Sequence, residues 1–149
     1  MDKNMILTAG PSITDKEIAY VTDAVTNGWN ENWNNYLIRF ESEFAKYIGT
    51  KHAVTTSSCT GALHLGLLAM GIGPGDEVIV PEITWVATAS AVAYTGATPI
   101  FCDIEEGSWC MDAKSAESLI TPKTKAIFPV HLYGHPANMP EIMELADKY

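Results

Sequence analysis

The chain has 149 residues, of which 47% are hydrophobic and 18% are charged, so it contains enough apolar side chains to bury a core and is not expected to be disordered. Its formal net charge of −9 excludes the basic surface that nucleic acids and anionic membranes require. Its three cysteines have no CxxC spacing, which is typical of a reducing compartment, and its His and Cys residues lack the spacing of metal ligands. We therefore expect a cytoplasmic protein with no nucleic-acid, membrane or metal partner.

Two amphipathic helices are predicted near the N-terminus. Thr14 and Glu17 have the spacing of a capping box, and apolar residues then recur at helical intervals as far as Gly28. Aromatic residues at helical spacing predict a second helix that ends at Gly49. The segment between these helices, residues 29–35, is rich in Trp and Asn and shows no periodicity, so a loop is predicted there.

From residue 52 onward, short apolar runs alternate with helical patterns. Continuous apolar strands separated by helices are typical of a parallel sheet covered on both faces, so we predict a three-layer α/β/α fold. A further helix begins near Asn138 with no strand after it, and we therefore expect the sheet to be incomplete. The predicted strands are 52–56, 78–81, 99–103 and 125–131, and the predicted helices lie near 60–70, 85–94 and 113–120.

Small polar residues occupy the predicted turn between strand 52–56 and the following helix. The sequence Ser57-Ser58-Cys59-Thr60-Gly61 would direct several backbone N–H groups and a helix dipole at one point, which suits a phosphate. We predict that the N–H groups of Cys59, Thr60 and Gly61 and the Thr60 hydroxyl hold that phosphate. An ordinary Ser/Thr helix cap explains the same residues, and neither the P-loop pattern nor the dinucleotide fingerprint is present.

Trp85 follows the predicted strand 78–81 after a short turn. A flat indole at this position can cover an aromatic ring, although a core tryptophan beneath a helix is the alternative interpretation. Because ligands bind at the carboxyl ends of parallel strands, we expect Trp85 to lie near the Cys59–Gly61 turn. A phosphate beside a stacked aromatic ring indicates pyridoxal 5′-phosphate (PLP) as the cofactor.

The order and spacing of these segments resemble the DegT-type family of PLP-dependent nucleotide-sugar aminotransferases, and the resemblance runs from about Leu7 to the last residue. The resemblance implies the aspartate-aminotransferase fold, which is fold type I of PLP enzymes. Residues 1–50 would then form an N-terminal helical segment with the active-site entry loop, and residues 51–149 the N-terminal part of an incomplete PLP-binding large domain.

The resemblance also implies a reaction. A nucleotide-linked keto-sugar would receive an amino group from a donor, glutamate in most of the family, in amino-sugar biosynthesis for a surface polysaccharide. The resemblance leans toward the perosamine type and implies a homodimer. The lysine that forms the Schiff base with PLP is expected beyond the end of the chain, so the 149 residues alone are expected to be an inactive N-terminal fragment without a catalytic residue.

Several site residues are assigned only by the resemblance. Trp85 would stack on the pyridine ring, and His131, near the end of the strand that leads into Leu132-Tyr133-Gly134, would lie beside the cofactor. The candidates for lining the substrate site are Trp29, Asn30, Trp33 and His135, although relatives often carry Gln where this chain has His135.

The residues alone leave other interpretations open. His131 also fits a hydrogen-bonded structural histidine, and the indoles of the 29–35 loop could fold back onto a helix. For the whole chain, one alternative is a non-catalytic α/β module that binds a phosphate or a nucleotide. Another is a thiol enzyme in which Cys59, at a helix N-terminus, is the nucleophile and His131 is the base.

Overall fold

The computed structural model describes Gly10 and residues 12–149, in two compact units that divide between Thr55 and Thr56. Residues 1–9 and 11 lie outside the described residues, and with them the start of the predicted N-terminal segment and of the resemblance at Leu7.

The first unit contains two helices, α1 (Asp15–Asn27) and α2 (Asn35–Ile48). Thr14 caps α1, and the Glu17 carboxylate accepts the backbone N–H of Thr14 at 2.7 Å, so the predicted capping box is confirmed. Helix α2 ends at Gly49, whose φ of 81° lies in the left-handed region that glycine adopts without steric cost.

A cluster of polar and aromatic side chains joins α1 to α2. The Tyr36 hydroxyl donates to the Asp23 carboxylate at 2.6 Å, and the Tyr20 and Tyr36 rings meet edge to face at 5.9 Å. The hydrogen bond from Tyr36 is the main reason why the pKa of Asp23 lies below its usual value. The Arg39 guanidinium lies 5.5 Å from the centre of the Tyr20 ring, at cation–π distance.

The second unit contains a three-stranded parallel sheet in the order β2-β1-β3. Its strands are β1 (Glu77–Pro81), β2 (Thr98–Cys102) and β3 (Thr124–Ile127), so three of the four predicted strands are confirmed. In the register of the sheet, Ile79 of the central strand β1 stands opposite Ile100 of β2.

The prediction of a strand at 52–56 is wrong. A strand needs a neighbouring strand to pair its N–H and C=O groups, and this segment has none among the described residues. Instead, Thr55 donates both its backbone N–H and its hydroxyl to the Glu41 carboxylate, each at 2.8 Å. Strand β3 is also shorter than predicted, because Pro129 has no N–H to continue the ladder.

Helices cover both faces of the sheet, which confirms the three-layer arrangement. Val78 and Val80 of β1 face a core shared with α3 and α4, whereas Ile79 faces the opposite core, shared with α5 and α6. None of the helices in the described residues is long and apolar enough to cross a bilayer. The four helices of this unit are α3 (Cys59–Ala69), α4 (Ala87–Tyr94), α5 (Ala113–Ser118) and α6 (Met139–Lys148).

Candidate functional site

The predicted phosphate turn forms the N-terminus of α3. Ser58 is the N-cap residue in an extended conformation, and its side-chain oxygen accepts the N–H of Gly61 at 3.1 Å. The Ala62 N–H bonds to the Ser58 carbonyl at 3.0 Å, which closes the first helical hydrogen bond. The N–H groups of Cys59 and Thr60 precede that bond and have no intrahelical acceptor, so these two amides remain available to an anion.

The surface of this turn is open to a ligand. Cys59 is exposed, and a Cβ added at Gly61 would meet only the Ser58 hydroxyl oxygen at 3.4 Å and the Thr56 side chain at 3.9 Å. The glycine therefore leaves the outer side of the first turn uncovered, as close approach of a phosphate to backbone amides requires.

Trp85 lies on the segment that joins β1 to α4. The Trp85 carbonyl accepts the N–H of Thr88 at 3.0 Å, and the hydroxyls of Thr84 and Thr88 lie 2.7 Å apart, so the backbone around the indole is fixed on both sides. The Trp85 side chain itself is 80% exposed. Within the described residues it is therefore not packed in a core, and its flat face is accessible.

The connectivity of the chain directs both features to one edge of the sheet. Helix α3 leads through a turn into β1, and a helix that precedes a strand of a parallel sheet runs antiparallel to it. Its N-terminus therefore points toward the carboxyl edge, where β1 ends and the chain continues to Trp85. Helices α3 and α4 pack against each other on this face. The predicted approach of Trp85 to Thr60 stays a prediction.

His131 follows β3 beyond the same edge of the sheet and is exposed. Its ring nitrogen Nδ1 accepts the backbone N–H of Ala137 at 3.0 Å. Because Nδ1 accepts this bond, the neutral ring carries its proton on Nε2, and an Nε2–H donor is left for a partner. His135 is also exposed, and its carbonyl accepts the thiol of Cys110 at 3.4 Å, which ties the segment to the loop after β2.

Two features of this segment were not anticipated from the sequence. The first is the contact from Ala137 that orients His131. The second is Tyr133, which adopts a φ of 50° and is 98% exposed. Glycine favours turns with positive φ, but nothing in the sequence predicts that the tyrosine before Gly134 adopts a left-handed conformation as well.

The candidate substrate residues Trp29, Asn30 and Trp33 belong to the first unit. They lie in the turn between α1 and α2, where the Asn30 side chain donates to the Asn27 carbonyl at 2.9 Å and accepts the Asn32 N–H at 2.8 Å. Asn30 therefore holds the turn together. The indoles of Trp29 and Trp33 are 87% and 67% exposed, so neither is folded back onto a helix within this unit.

Two cavities in the second unit are lined by residues other than the phosphate turn and Trp85. One, of about 640 Å³, lies between β3 and α6 and includes Ile142 and Tyr149; the other, of about 210 Å³, lies between α3 and the end of β3. Cys59 and Trp85 of the predicted site are both exposed in the described part of the chain. Within residues 12–149 and Gly10, no group of three or more His, Cys, Asp or Glu side chains is placed to hold a metal ion.

Curated proteins provide the first comparison. The chain is 45% identical over 148 residues to the GDP-perosamine synthase of Caulobacter vibrioides, which covers 99% of the chain and 40% of that relative. It is 50% identical over 136 residues to the GDP-perosamine synthase of Escherichia coli O157:H7, which covers 91% of the chain and 37% of the relative. The chain thus spans less than half the length of these curated relatives.

Solved structures provide the second comparison. A protein from Streptococcus pneumoniae, with structures described as its PLP and PMP forms, superposes with a TM-score of 0.86 at 36% identity, over 96% of this chain and 36% of that one. The structural neighbours are PLP-dependent aminotransferases of fold type I, which confirms the predicted fold class. Residues 11–149, nearly the whole chain, match the model of one protein family, and the chain belongs to this DegT/DnrJ/EryC1/StrS aminotransferase family.

Proposed function

We propose that the protein carrying this chain is a PLP-dependent aminotransferase that aminates a nucleotide-linked keto-sugar, of the kind that yields perosamine. The observation that carries the proposal is the 45% identity to a GDP-perosamine synthase across the residues that form the phosphate turn and the Trp85 segment. The proposal extends to glutamate as the amino donor, to a homodimer, to a cytoplasmic location and to a role in polysaccharide biosynthesis.

The turn at α3 has the donor set that the phosphate of PLP needs. In this proposal the N–H groups of Cys59 and Thr60 and the Thr60 hydroxyl donate to the phosphate oxygens, and Gly61 leaves room for them to approach. The Gly61 N–H is already bonded to Ser58, so Gly61 contributes space and not a donor. The positive end of the α3 dipole adds to the attraction for the anion.

The exposed indole of Trp85 would cover the pyridine ring of the same cofactor. The bound cofactor supplies the electron sink for transamination, and the residues of this chain bind and orient it. His131 would donate its Nε2–H to the cofactor, since its Nδ1 is occupied by the Ala137 N–H. Trp29, Asn30, Trp33 and His135 are proposed to line the substrate site.

No lysine of the described sheet is assigned as the Schiff-base residue. Lys123 immediately precedes β3 and its carbonyl accepts the N–H of Glu77, the first residue of β1. Lys123 and Lys125, the second residue of β3, therefore lie toward the amino edge of the sheet, opposite the edge that carries the proposed cofactor site.

The test is a titration of the cofactor-free protein with PLP and, separately, with pyridoxal, which lacks the phosphate. Cofactor retained after gel filtration is measured by its visible absorbance. We expect PLP to bind at least a hundredfold more tightly than pyridoxal, because two or three charge-assisted hydrogen bonds of about 1.5–3 kcal/mol each are absent for pyridoxal. Equal affinities would show that the α3 turn is not a phosphate site.

The reaction is tested with the PLP-loaded protein, glutamate and a 4-keto sugar nucleotide. Formation of 2-oxoglutarate in step with the amino sugar is the expected result. A protein that binds PLP but leaves both substrates unchanged would contradict the assignment of donor and acceptor while leaving the cofactor site intact.

A further inference from the structure

The segment Leu132–His135 forms a tight turn that requires an unusual conformation of Tyr133. The His135 N–H donates to the Leu132 carbonyl at 2.9 Å, and the two central residues, Tyr133 and Gly134, have φ angles of 50° and 84°. Positive φ at both central positions defines a type I′ turn, in which Asn, Asp and Gly are favoured. Gly134 fits this turn, whereas the Cβ of a tyrosine is crowded in the left-handed region.

No packing contact within the described residues compensates for the crowded backbone conformation of Tyr133. The Tyr133 side chain is 98% exposed, so it gains almost no packing in return for the strained backbone. Residues held in such conformations cluster at ligand sites, where the position of a side chain matters more than local stability. Tyr133 thus occupies a position where Asn or Gly would make a more stable turn.

The turn holds the tyrosine in a defined place. The Gly134 N–H donates to the His131 carbonyl at 3.0 Å, the Ala137 N–H fixes the His131 ring, and the Cys110 thiol binds the His135 carbonyl. These bonds involve residues before and after Tyr133 in the sequence, so they fix the backbone at Tyr133. The turn follows β3 at the carboxyl edge of the sheet, the edge at which α/β proteins bind ligands.

Trp109 provides an internal comparison. It is the other non-glycine residue with positive φ among the described residues, at 58°, and it is 55% exposed. The Trp109 N–H donates to the Glu105 carbonyl at 2.8 Å, and the Ser108 hydroxyl binds both the Glu105 carboxylate and the Cys110 N–H. Trp109 thus shares the backbone strain of Tyr133, but it does not follow β3 next to His131.

We propose that Tyr133 determines substrate specificity by contacting the sugar nucleotide, with its ring against a flat face of the base or sugar and its hydroxyl bonded to a polar group of the same ligand. This inference rests on the proposed function. An exposed phenol offers both an aromatic face and a donor, and a nucleoside diphosphate hexose presents rings, hydroxyls and phosphate oxygens within one molecule. The pyridine ring of the cofactor is the proposed partner of Trp85, so the proposed ligand of Tyr133 is the sugar nucleotide and not the cofactor.

The experiment compares Tyr133→Asn, Tyr133→Phe and the control Trp109→Asn in the PLP-loaded protein. Asn is compatible with positive φ and removes the ring, whereas Phe keeps the ring and removes the hydroxyl. The probe is GDP-mannose, a nucleotide sugar with no keto group to react, and its Kd is measured by calorimetry. Thermal unfolding and PLP titration are recorded for every variant.

We expect Tyr133→Asn to raise the Tm and to weaken GDP-mannose binding by about tenfold or more, which is the usual range for losing one aromatic stacking contact. PLP uptake should not change, and Tyr133→Phe should retain most of the affinity. Trp109→Asn relieves a similar backbone strain but loses the packing of a half-buried indole, and it should leave the Kd unchanged.

Three results would overturn the assignment of Tyr133. An unchanged Kd in Tyr133→Asn, or no GDP-mannose binding by a parent that takes up PLP, would show that Tyr133 does not contact a sugar nucleotide. A lower Tm in Tyr133→Asn would show that the ring packs against protein. A parent that fails to bind PLP would instead contradict the proposed function, because PLP uptake is measured separately.

Discussion

The side-chain oxygen of Ser58 accepts a hydrogen bond from the backbone N–H of Gly61 at 3.1 Å. The Gly61 N–H in the first turn of α3 is therefore already bonded. The N–H groups of Cys59 and Thr60 have no acceptor within the helix. Helix capping and phosphate binding, which the sequence offered as alternatives for this turn, are thus compatible because they use different amides.

Gly61→Ala should separate the stability of α3 from its ability to bind a phosphate. The new methyl group would lie 3.4 Å from the Ser58 hydroxyl oxygen, which is an ordinary contact, so the helix should gain roughly 0.5–1 kcal/mol from the loss of glycine flexibility. If the methyl group displaces the phosphate from one amide, PLP affinity should fall by about tenfold to a hundredfold. Urea unfolding and PLP titration measure the two effects.

Gly66→Ala is the matched control, because Gly66 lies in the same helix and a Cβ added there meets nothing within 4 Å. It should stabilise the helix to a similar extent and leave PLP affinity unchanged. Equal PLP affinity in both variants would mean that no phosphate approaches Gly61.

Cys59 should be the first cysteine to react with an alkylating reagent, and PLP should protect it. Cys59 is exposed, whereas Cys102 and Cys110 are each 1% exposed, and burial raises the pKa of the Cys102 thiol to about 11. At pH 8 only about one part in a thousand of Cys102 would be thiolate, since each pH unit below the pKa lowers the thiolate fraction tenfold. Mass spectrometry after brief labelling identifies the modified cysteine.

Protection is the informative part of this measurement. Saturating PLP should slow the labelling of Cys59 severalfold, because a phosphate bound to the Cys59 and Thr60 amides would cover the thiol, and pyridoxal should protect less. Labelling of Cys59 at the same rate with and without PLP would place the cofactor elsewhere. Loss of aminotransferase activity in a Cys59→Ser variant that still binds PLP would support a chemical role for the thiol.

The fold could be predicted where the sequence pattern depends on residues within one helical turn or on a strand that is buried on both faces. Val78, Ile79 and Val80 form a continuous apolar run because β1 is the central strand and both of its faces are covered. The capping box at Thr14 was equally predictable, since it depends on residues within one turn.

The remaining features depend on partners that the local pattern does not specify. Residues 52–56 have an apolar run but no adjacent strand among the described residues, and the Thr55 N–H bonds to Glu41 instead. The orientation of the His131 ring could not be predicted, because the Ala137 N–H that fixes it lies outside the helices and strands. Tyr133 was missed because a tyrosine is disfavoured in the conformation that it adopts.

Glu41 should make the first unit less stable in acid. Its carboxylate accepts the backbone N–H and then the hydroxyl of Thr55, and these bonds hold the pKa of Glu41 below its usual value of about 4.3. Because the folded-state pKa is depressed, the stabilisation is fully present above the unfolded-state pKa and is lost as the pH falls through the lower folded-state value.

Glu41→Gln tests this pH dependence, since glutamine keeps the shape and loses the charge. The variant should be less stable than the parent at pH 7, and the difference should shrink as the pH is lowered and the carboxylate of Glu41 becomes protonated. Hydrogen exchange of the Thr55 amide reports the contact directly and should be faster in the variant at pH 7. A constant difference between parent and variant across this pH range would show that ionisation of Glu41 does not matter.

Trp85→Ala should weaken cofactor binding and leave the fold intact. The indole is 80% exposed, so its removal creates no cavity, and substitutions at such positions change stability by less than about 0.5 kcal/mol. Loss of stacking and contact area with the pyridine ring should lower PLP affinity by about 1–3 kcal/mol, or roughly fivefold to 150-fold. Trp85→Phe keeps an aromatic face and should recover most of the affinity. Thr60→Ala should cost less affinity than Trp85→Ala, because the backbone donors to the phosphate remain.

Titration of the cofactor-free variants with PLP gives the affinities, and thermal unfolding without PLP tests the fold. If Trp85→Ala bound PLP as tightly as the parent, the exposed indole would have another role and the cofactor ring would lie elsewhere.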